Sequence, residues 1–139
     1  MPADLKQLSR RFYELYDRDE RPAFAELLAP GCVVHLPGVP EPLAKDDFLA
    51  VSALFATAFG DSDTRFEDQI ADRDTVVTRW LWRITHRAAF QGIPATGRRV
   101  AIPGVTINRF AGGQIAEQWV SFDRIALLEQ LGALPAARP

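Results

Sequence analysis

The sequence predicts a single α+β domain spanning residues 1–139, in which helices come first and a sheet of long strands follows. Two observations carry this prediction. Up to about residue 59 the apolar residues recur at spacings of three and four, as on one face of a helix, and from about residue 63 they alternate, as on one face of a strand. The length fits one domain and allows a sizeable core.

The helical half is predicted to contain three helices, at residues 4–17, 22–28 and 45–59, and one short strand, at residues 32–36. Asp4 and Gln7 are spaced as in a capping box at the start of the first helix. Pro22 suits the first turn of the second helix, and Pro30 and Gly31 are expected to end it. Gly60 is expected to stop the third helix.

The second half is predicted to contain four strands and a closing helix, at residues 63–70, 75–90, 98–110 and 114–123 for the strands and 125–131 for the helix. In the longest strand, Trp80, Trp82 and His86 occupy even positions and arginines such as Arg79 and Arg83 occupy odd ones, so one face is covered and the other is wet. The helices must cover the tryptophans, which then belong to a solid core or to the wall of a cavity.

Composition narrows the classes of partner. The net charge of −2, from 16 basic and 18 acidic residues, gives no excess of positive charge that would favour binding to nucleic acid or to an anionic membrane. Cys32 stands alone in an apolar run, so we expect a buried thiol, no intramolecular disulfide and no cysteine metal site. With no signal peptide and no apolar stretch of about 18 residues, a cytoplasmic location is expected.

Three stretches carry a family resemblance. Residues 92–100 (GIPATGRRV) resemble a "GxPPTGK" turn, and residues 108–119 (NRF, then GQIAEQW) are similar to an "FRFxxGKIxExW" strand pair. Residues 123–132 (DRIALLEQLG) look like the ending "DxxxLLxQLG". Together these motifs resemble those of the SnoaL-like polyketide cyclases, of the nuclear transport factor 2-like superfamily.

The resemblance implies a cone-shaped, strongly curved sheet, antiparallel or mixed, that encloses a cavity with three helices plugging one side and a short helix at the end. It also implies homodimers packed through the sheet. Polyketide cyclases of this kind close a ring by intramolecular aldol condensation without metal or cofactor. One aspartate near the end of the last strand is their general acid/base, and Asp123 matches that motif position.

Asp123, His35 and His86 are the candidate catalytic residues, each with a structural alternative. Asp123 lies four residues after Trp119, so along a regular strand both side chains should face the same side of the sheet unless a bulge shifts the register. A carboxylate packed against tryptophan would have a raised pKa. Asp123 could instead cap the last helix. His86 follows the family's Thr-His pattern, and His35 stands where ketosteroid isomerases carry their basic aspartate; either could serve only a structural hydrogen bond.

Substrate contacts are expected from the cavity wall and from a donor for a developing oxyanion. The expected wall residues are aromatic: Trp80, Trp82, Trp119, Phe55 and Phe59. Tyr13, Tyr16 or Asn108 could supply the donor. Thr106 stands where the isomerases carry a proton-sharing aspartate, which argues against isomerase and epoxide hydrolase chemistry.

The leading hypothesis is a cofactor-free enzyme that binds a small apolar carbonyl compound and transfers protons at carbon, as in polyketide cyclisation or isomerisation. Two alternatives stay open, a non-catalytic small-molecule binding module and an epoxide hydrolase or dehydratase variant. No metal, nucleic acid or membrane partner is expected.

Overall fold

A computed structural model describes residues 4–134 of the protein, which form four helices and six strands. In chain order the elements are α1 (Leu5–Asp17), α2 (Arg21–Glu26), β1 (Leu28–His35), β2 (Leu43–Ala44), α3 (Lys45–Ala58), β3 (Phe59–Asp72), β4 (Thr75–His86), β5 (Arg99–Ala111), β6 (Gln114–Phe122) and α4 (Arg124–Gln130). None of these helices is long and apolar enough to cross a membrane.

The six strands form one curved, mixed sheet in the order β2-β1-β6-β5-β4-β3. Strand β1 runs parallel to β6, and all other neighbours are antiparallel. Helix α1 packs on β3 and β4, α3 packs on β1, and α4 packs on β5. The α+β prediction is therefore confirmed.

The core consists of two apolar clusters on the helical side of the sheet. The first lies beneath α1 and α2 and includes Phe12, Phe24 and Val34. The second joins the end of α3 to β4, β5 and α4 and includes Ile84 and Leu127. Even positions of β4 and β5 point into these clusters, which accords with the alternation read from the sequence.

Several predicted boundaries are wrong. The strand predicted at residues 75–90 ends at His86, and the two-residue strand β2 was not predicted. Strand pairing explains two further differences. The second helix ends before Pro30 and Gly31, because Leu27 O accepts a hydrogen bond from Ile115 N at 2.7 Å and β1 begins pairing with β6 at Leu28. Gly60 lies inside β3 and does not stop a helix. The Arg87 side chain lies over Gly60 where a Cβ would point, so the glycine permits this close approach.

Strand β6 contains a β-bulge at Ala116, which decides which side chains face the helices. Arg109 pairs with Glu117 and Phe110 pairs with Ile115, so Ala116 is an extra residue on β6. A bulge of one residue exchanges the two faces of the strand beyond it. Ile115 faces the core before the bulge, and Gln118 faces it afterwards.

Candidate functional site

An apolar cavity of about 520 Å³ lies between the sheet and the helices. This volume falls within the range of about 300–1,000 Å³ that is typical of small-molecule sites. Aromatic side chains from α1, α2, α3 and β4 form much of its wall. The lining residues exposed to solvent mark its opening, and they include Gly38, Leu54, Gln91 and Arg124.

Four residues that the sequence analysis assigned to substrate binding lie in the cavity wall: Trp80, Trp82, Phe55 and Tyr16. Both indole N–H groups already have acceptors. Trp80 Nε1 donates to Thr106 Oγ1 at 2.9 Å, and Trp82 Nε1 donates to Ser62 Oγ at 2.8 Å. The two tryptophans therefore offer the cavity apolar surface and no hydrogen bond.

The Tyr16 hydroxyl is the unpaired polar group of the wall. It is buried and has no hydrogen-bond partner among the described residues. Its ring packs against Trp82 and Phe24, with centroid distances of 6.1 and 5.8 Å. Burial raises the pKa of Tyr16 well above its usual range, so at neutral pH the group is a hydrogen-bond donor and not a base.

Tyr13, one turn earlier on α1, differs from Tyr16. Its ring also reaches the cavity, but its hydroxyl hydrogen-bonds to Thr106 Oγ1. Tyr13 therefore fixes α1 to β5, whereas the Tyr16 hydroxyl has no partner among the described residues.

Behind the wall, Asp17 ties the end of α1 to β3. Its carboxylate accepts hydrogen bonds from Ser62 Oγ at 2.6 Å and from Thr64 N at 2.8 Å. Burial raises the pKa of Asp17. Because Ser62 also receives the Trp82 indole N–H, this network holds both Trp82 and the helix end that carries Tyr16.

Asp123 and Trp119 face away from the cavity, so the expected orientation of both is wrong. The bulge at Ala116 turns them outward, and Gln118, Val120 and Phe122 line the cavity in their place. The Asp123 carboxylate is exposed and accepts a hydrogen bond from Ala126 N at 2.9 Å, which caps α4. Catalysis by Asp123 stays a prediction that this geometry does not favour.

His35 also lies outside the cavity, on the outer face of the sheet. Its ring stacks on Trp119 at 5.3 Å, and its Nε2 lies 2.8 Å from Glu117 Oε2. Glu117 accepts a second hydrogen bond from Arg109 at 3.2 Å. The hydrogen bond to His35 lowers the pKa of Glu117.

His86 is fully buried and does not line the cavity. Thr96 N donates to its Nδ1 at 3.1 Å, so Nδ1 is an acceptor and the proton resides on Nε2. Nε2 has no partner among the described residues, and the ring packs 5.3 Å from Phe59. His86 therefore anchors the loop between β4 and β5.

Phe59 and Asn108 are core residues and not wall residues, contrary to expectation. Asn108 is fully buried, where it donates to Ser9 Oγ at 3.3 Å and accepts from Gln118 Nε2 at 2.8 Å. Of these three hydrogen-bonded side chains, that of Gln118 lines the cavity. Its inward orientation depends on the bulge, so the alternation of the sequence alone did not reveal it.

No Asp, Glu or His side chain lines the cavity within residues 4–134. Arg124 at the opening is the one formally charged residue of this wall. In the same part of the chain, no group of three or more His, Cys, Asp or Glu side chains could hold a metal ion. The wall is thus largely apolar, with a few neutral polar side chains such as Gln118, the unpaired hydroxyl of Tyr16 and one cation at the opening. This arrangement suits an apolar ligand with a polarisable oxygen.

Comparison with solved structures finds close similarity over nearly the whole chain. AclR of Streptomyces galilaeus, a proposed hydroxylase, has a TM-score of 0.85 and 25% identity, covering 94% of this chain and 96% of that one. IdmH of Streptomyces antibioticus, a proposed polyketide cyclase, has a TM-score of 0.84 and 29% identity, covering 94% and 99%. A proposed polyketide cyclase of Acidithiobacillus ferrooxidans has a TM-score of 0.80 and 26% identity, covering 95% and 96%.

Comparison with curated proteins finds no match. The model of the SnoaL-like polyketide cyclase family, in contrast, matches residues 6–131, which include every helix and strand described above except the first residue of α1. The chain therefore belongs to the SnoaL-like polyketide cyclase family.

Proposed function

We propose that this protein binds a small, largely apolar carbonyl compound in the cavity and promotes its ring closure by an aldol reaction. The observation that carries the proposal is the buried, unpaired hydroxyl of Tyr16, a residue of the largely apolar cavity wall. A preorganised donor in a water-poor site stabilises the negative oxygen that develops on an enolised carbonyl. Tyr16 is therefore assigned to substrate binding and oxyanion stabilisation.

The reaction has two steps in this proposal. A carbon next to the carbonyl loses a proton, and the resulting enolate carbon forms a bond with a second carbonyl carbon, whose oxygen takes up a proton. The cavity holds the enolate carbon and the second carbonyl of the substrate close together, which lowers the entropy cost of bringing them into contact. Since the described wall offers no carboxylate or imidazole, the proton leaves carbon to water at the opening or to a basic oxygen of the substrate.

The relatives support cyclase chemistry for this chain. IdmH, at 29% identity over nearly its whole length, is a proposed polyketide cyclase. AclR is a proposed hydroxylase, so the same fold also serves other proposed chemistry, and the site must decide between them. Without an inward carboxylate in the described residues, no observation favours the epoxide hydrolase alternative.

A second candidate function is a non-catalytic binding module for the same class of ligand. It is favoured by the positions of the three titratable candidates, because Asp123, His35 and His86 all lie outside the cavity wall. A binding module needs the apolar wall and the Tyr16 donor but no proton acceptor.

Turnover of an acyclic tricarbonyl model that cyclises by aldol closure separates the two functions. We expect the wild-type protein to accelerate closure and Tyr16→Phe to lower kcat by about 100-fold, since loss of one oxyanion donor typically costs this much. Tyr13→Phe is the matched control, with the same atom removed one turn away, and should stay within a few-fold of wild type. Ligand binding with no turnover by the wild type would establish the binding module, and equal rates for wild type and Tyr16→Phe would refute the assigned role.

A further inference from the structure

Arg124 is the one formally charged side chain of the cavity wall within residues 4–134, and it lies at the opening. No carboxylate of the wall balances it. Arg124 forms no ion pair with any described residue, whereas Arg79, Arg83 and Arg109 on the outer face of the sheet each pair with an acidic side chain. The guanidinium donors are therefore free to bind solvent or a ligand at the opening.

The loop after β1 fits around this guanidinium. Gly38 has a φ of +76°, and a Cβ at this position would overlap the guanidinium atoms of Arg124. The absence of a side chain at Gly38 lets the arginine lie directly against the backbone at the rim of the cavity. A planar group held in this way loses less conformational freedom when it binds a ligand than a free surface arginine does.

The position of Arg124 in α4 is not explained by helix stability. Arg124 is the first residue of the helix, where the partial positive charge of the N-terminus disfavours a cation. Asp123 already supplies the capping carboxylate. A cation that faces the cavity at this cost is better explained by a ligand than by the helix.

We infer that the ligand of this cavity is a carboxylic acid, a keto acid whose carboxylate pairs with Arg124 at the opening and whose carbonyl meets Tyr16 in the wall. The inference rests on the proposed function for the carbonyl and adds the acidic group to it. A guanidinium recognises a carboxylate through two parallel N–H···O bonds, which gives both charge and orientation. The carboxylate end stays near water, and the apolar body enters the cavity.

The test compares acids with their own methyl esters. The probes are 3-benzoylpropionate and 3-(2-naphthoyl)propionate, two aromatic keto acids of different size, each with its methyl ester. Quenching of tryptophan fluorescence reports binding, because Trp80 and Trp82 line the cavity. We expect the wild type to bind at least one acid about five- to tenfold more tightly than its ester, as for one partly exposed charged hydrogen-bond pair.

Arg124→Gln should remove this preference for the acid and leave the affinity for the ester unchanged. Arg11→Gln, which makes the same charge change at an exposed site of α1 outside the wall, should keep the preference. Equal affinity for acid and ester, or a preference that survives in Arg124→Gln, overturns the inference.

Tyr16→Phe separates this inference from the proposed function. Suppose that Tyr16→Phe weakens binding of the ester while the wild type binds acid and ester equally. This result would support the carbonyl site at Tyr16 and refute the carboxylate site at Arg124. If the acid preference depends on Arg124 but Tyr16→Phe changes nothing, the carboxylate site stands and the proposed role of Tyr16 falls. Binding of none of the four probes overturns both.

Discussion

At the scale of single residues, Gly104 determines where the floor of the cavity lies. It is an inward-facing position of β5 without a side chain, and the Trp80 ring occupies the space in which a Cβ would stand. Trp80 in turn lines the cavity and donates to Thr106. Because Gly104 has no methyl group, the Trp80 ring can pack directly against the backbone of β5, and this sets the position of the cavity wall there.

Gly104→Ala is expected to push the Trp80 ring away from the sheet and into the cavity. Overpacking of this kind costs typically about 1–3 kcal/mol of folding stability. Urea denaturation measures the loss, and a shift in tryptophan emission reports the displaced ring. Gly31→Ala is the matched control, because a Cβ on this strand glycine meets nothing within 4 Å. Equal stability of the two variants would contradict the close packing described for Trp80.

The sequence predicted residues on regular strands better than residues beyond an irregularity. Trp80 and Trp82 lie on β4, where alternation persists, and both reach the cavity wall as expected. Trp119 and Asp123 follow the extra residue of β6, so the same rule assigned them to the wrong face. Arg124 was missed because a lone arginine at the start of a short helix carries no periodic signal.

At the scale of elements, α4 depends on its cap. Asp123→Ala should lower the free energy of unfolding by about 1 kcal/mol, since it removes the hydrogen bond to Ala126 N. Asp123→Asn should keep most of this stability, because asparagine is an equally good N-cap. Thermal unfolding of the three proteins measures the difference.

The same pair of variants tests catalysis by Asp123. A capping role predicts that Asp123→Asn retains the turnover of the wild type on the tricarbonyl model. Loss of turnover in a stable Asp123→Asn protein would instead restore the acid/base role that the family motif implies.

The connection between α1 and β3 is expected to depend on pH through Asp17. Burial raises the pKa of Asp17, so the side chain binds a proton more readily in the folded protein than in the unfolded chain. The contribution of such a group to stability is present in full below its unfolded pKa and is lost as pH rises through its folded pKa. The unfolding free energy of wild type minus that of Asp17→Asn should therefore increase as pH is lowered from 7 to about 4. A difference that stays flat or shrinks in urea titrations would contradict the raised pKa.

Most elements were predictable because each has a local cause. Asp4 accepts a hydrogen bond from Gln7 N at the start of α1, and Gly112 and Gly113 adopt the positive φ values of the turn between β5 and β6. The parallel pairing of β1 with β6 has no local signal, since its two strands are about 80 residues apart in sequence. That pairing starts β1 at Leu28, ahead of Pro30 and Gly31, and it is interrupted by an irregularity between Leu28 and Val33.

At the scale of the whole molecule, the outer face of the sheet is a candidate surface for self-association. Its apolar part is half-buried and consists of Val105 and Ile107 next to the exposed ring of Trp119. The ion pairs of Glu117 with His35 and Arg109 border it. Ion pairs such as Arg79 with Asp68 lie toward its β3 edge. An apolar centre with a charged rim is typical of protein interfaces.

We therefore expect a homodimer formed through this face, with about 800 Å² buried per partner. Trp119→Glu should shift the protein toward monomer in sedimentation equilibrium, because it introduces charge at the centre. Leu54→Glu, at an equally apolar exposed position on α3, should leave the mass unchanged. A wild-type protein that sediments as a monomer at high concentration would contradict the assignment.

The extra residue in β6 has a consequence for how such proteins can diverge. Deletion of Ala116 alone would keep Ile115 opposite Phe110 and Glu117 opposite Arg109, so the ladder would become regular and Gln118 would still face the cavity. A strand that kept Ala116 but paired without the bulge would instead turn Glu117 and Trp119 inward and Gln118 outward. A change of pairing, with no change of composition, would thus exchange a neutral amide for an acid in the cavity wall.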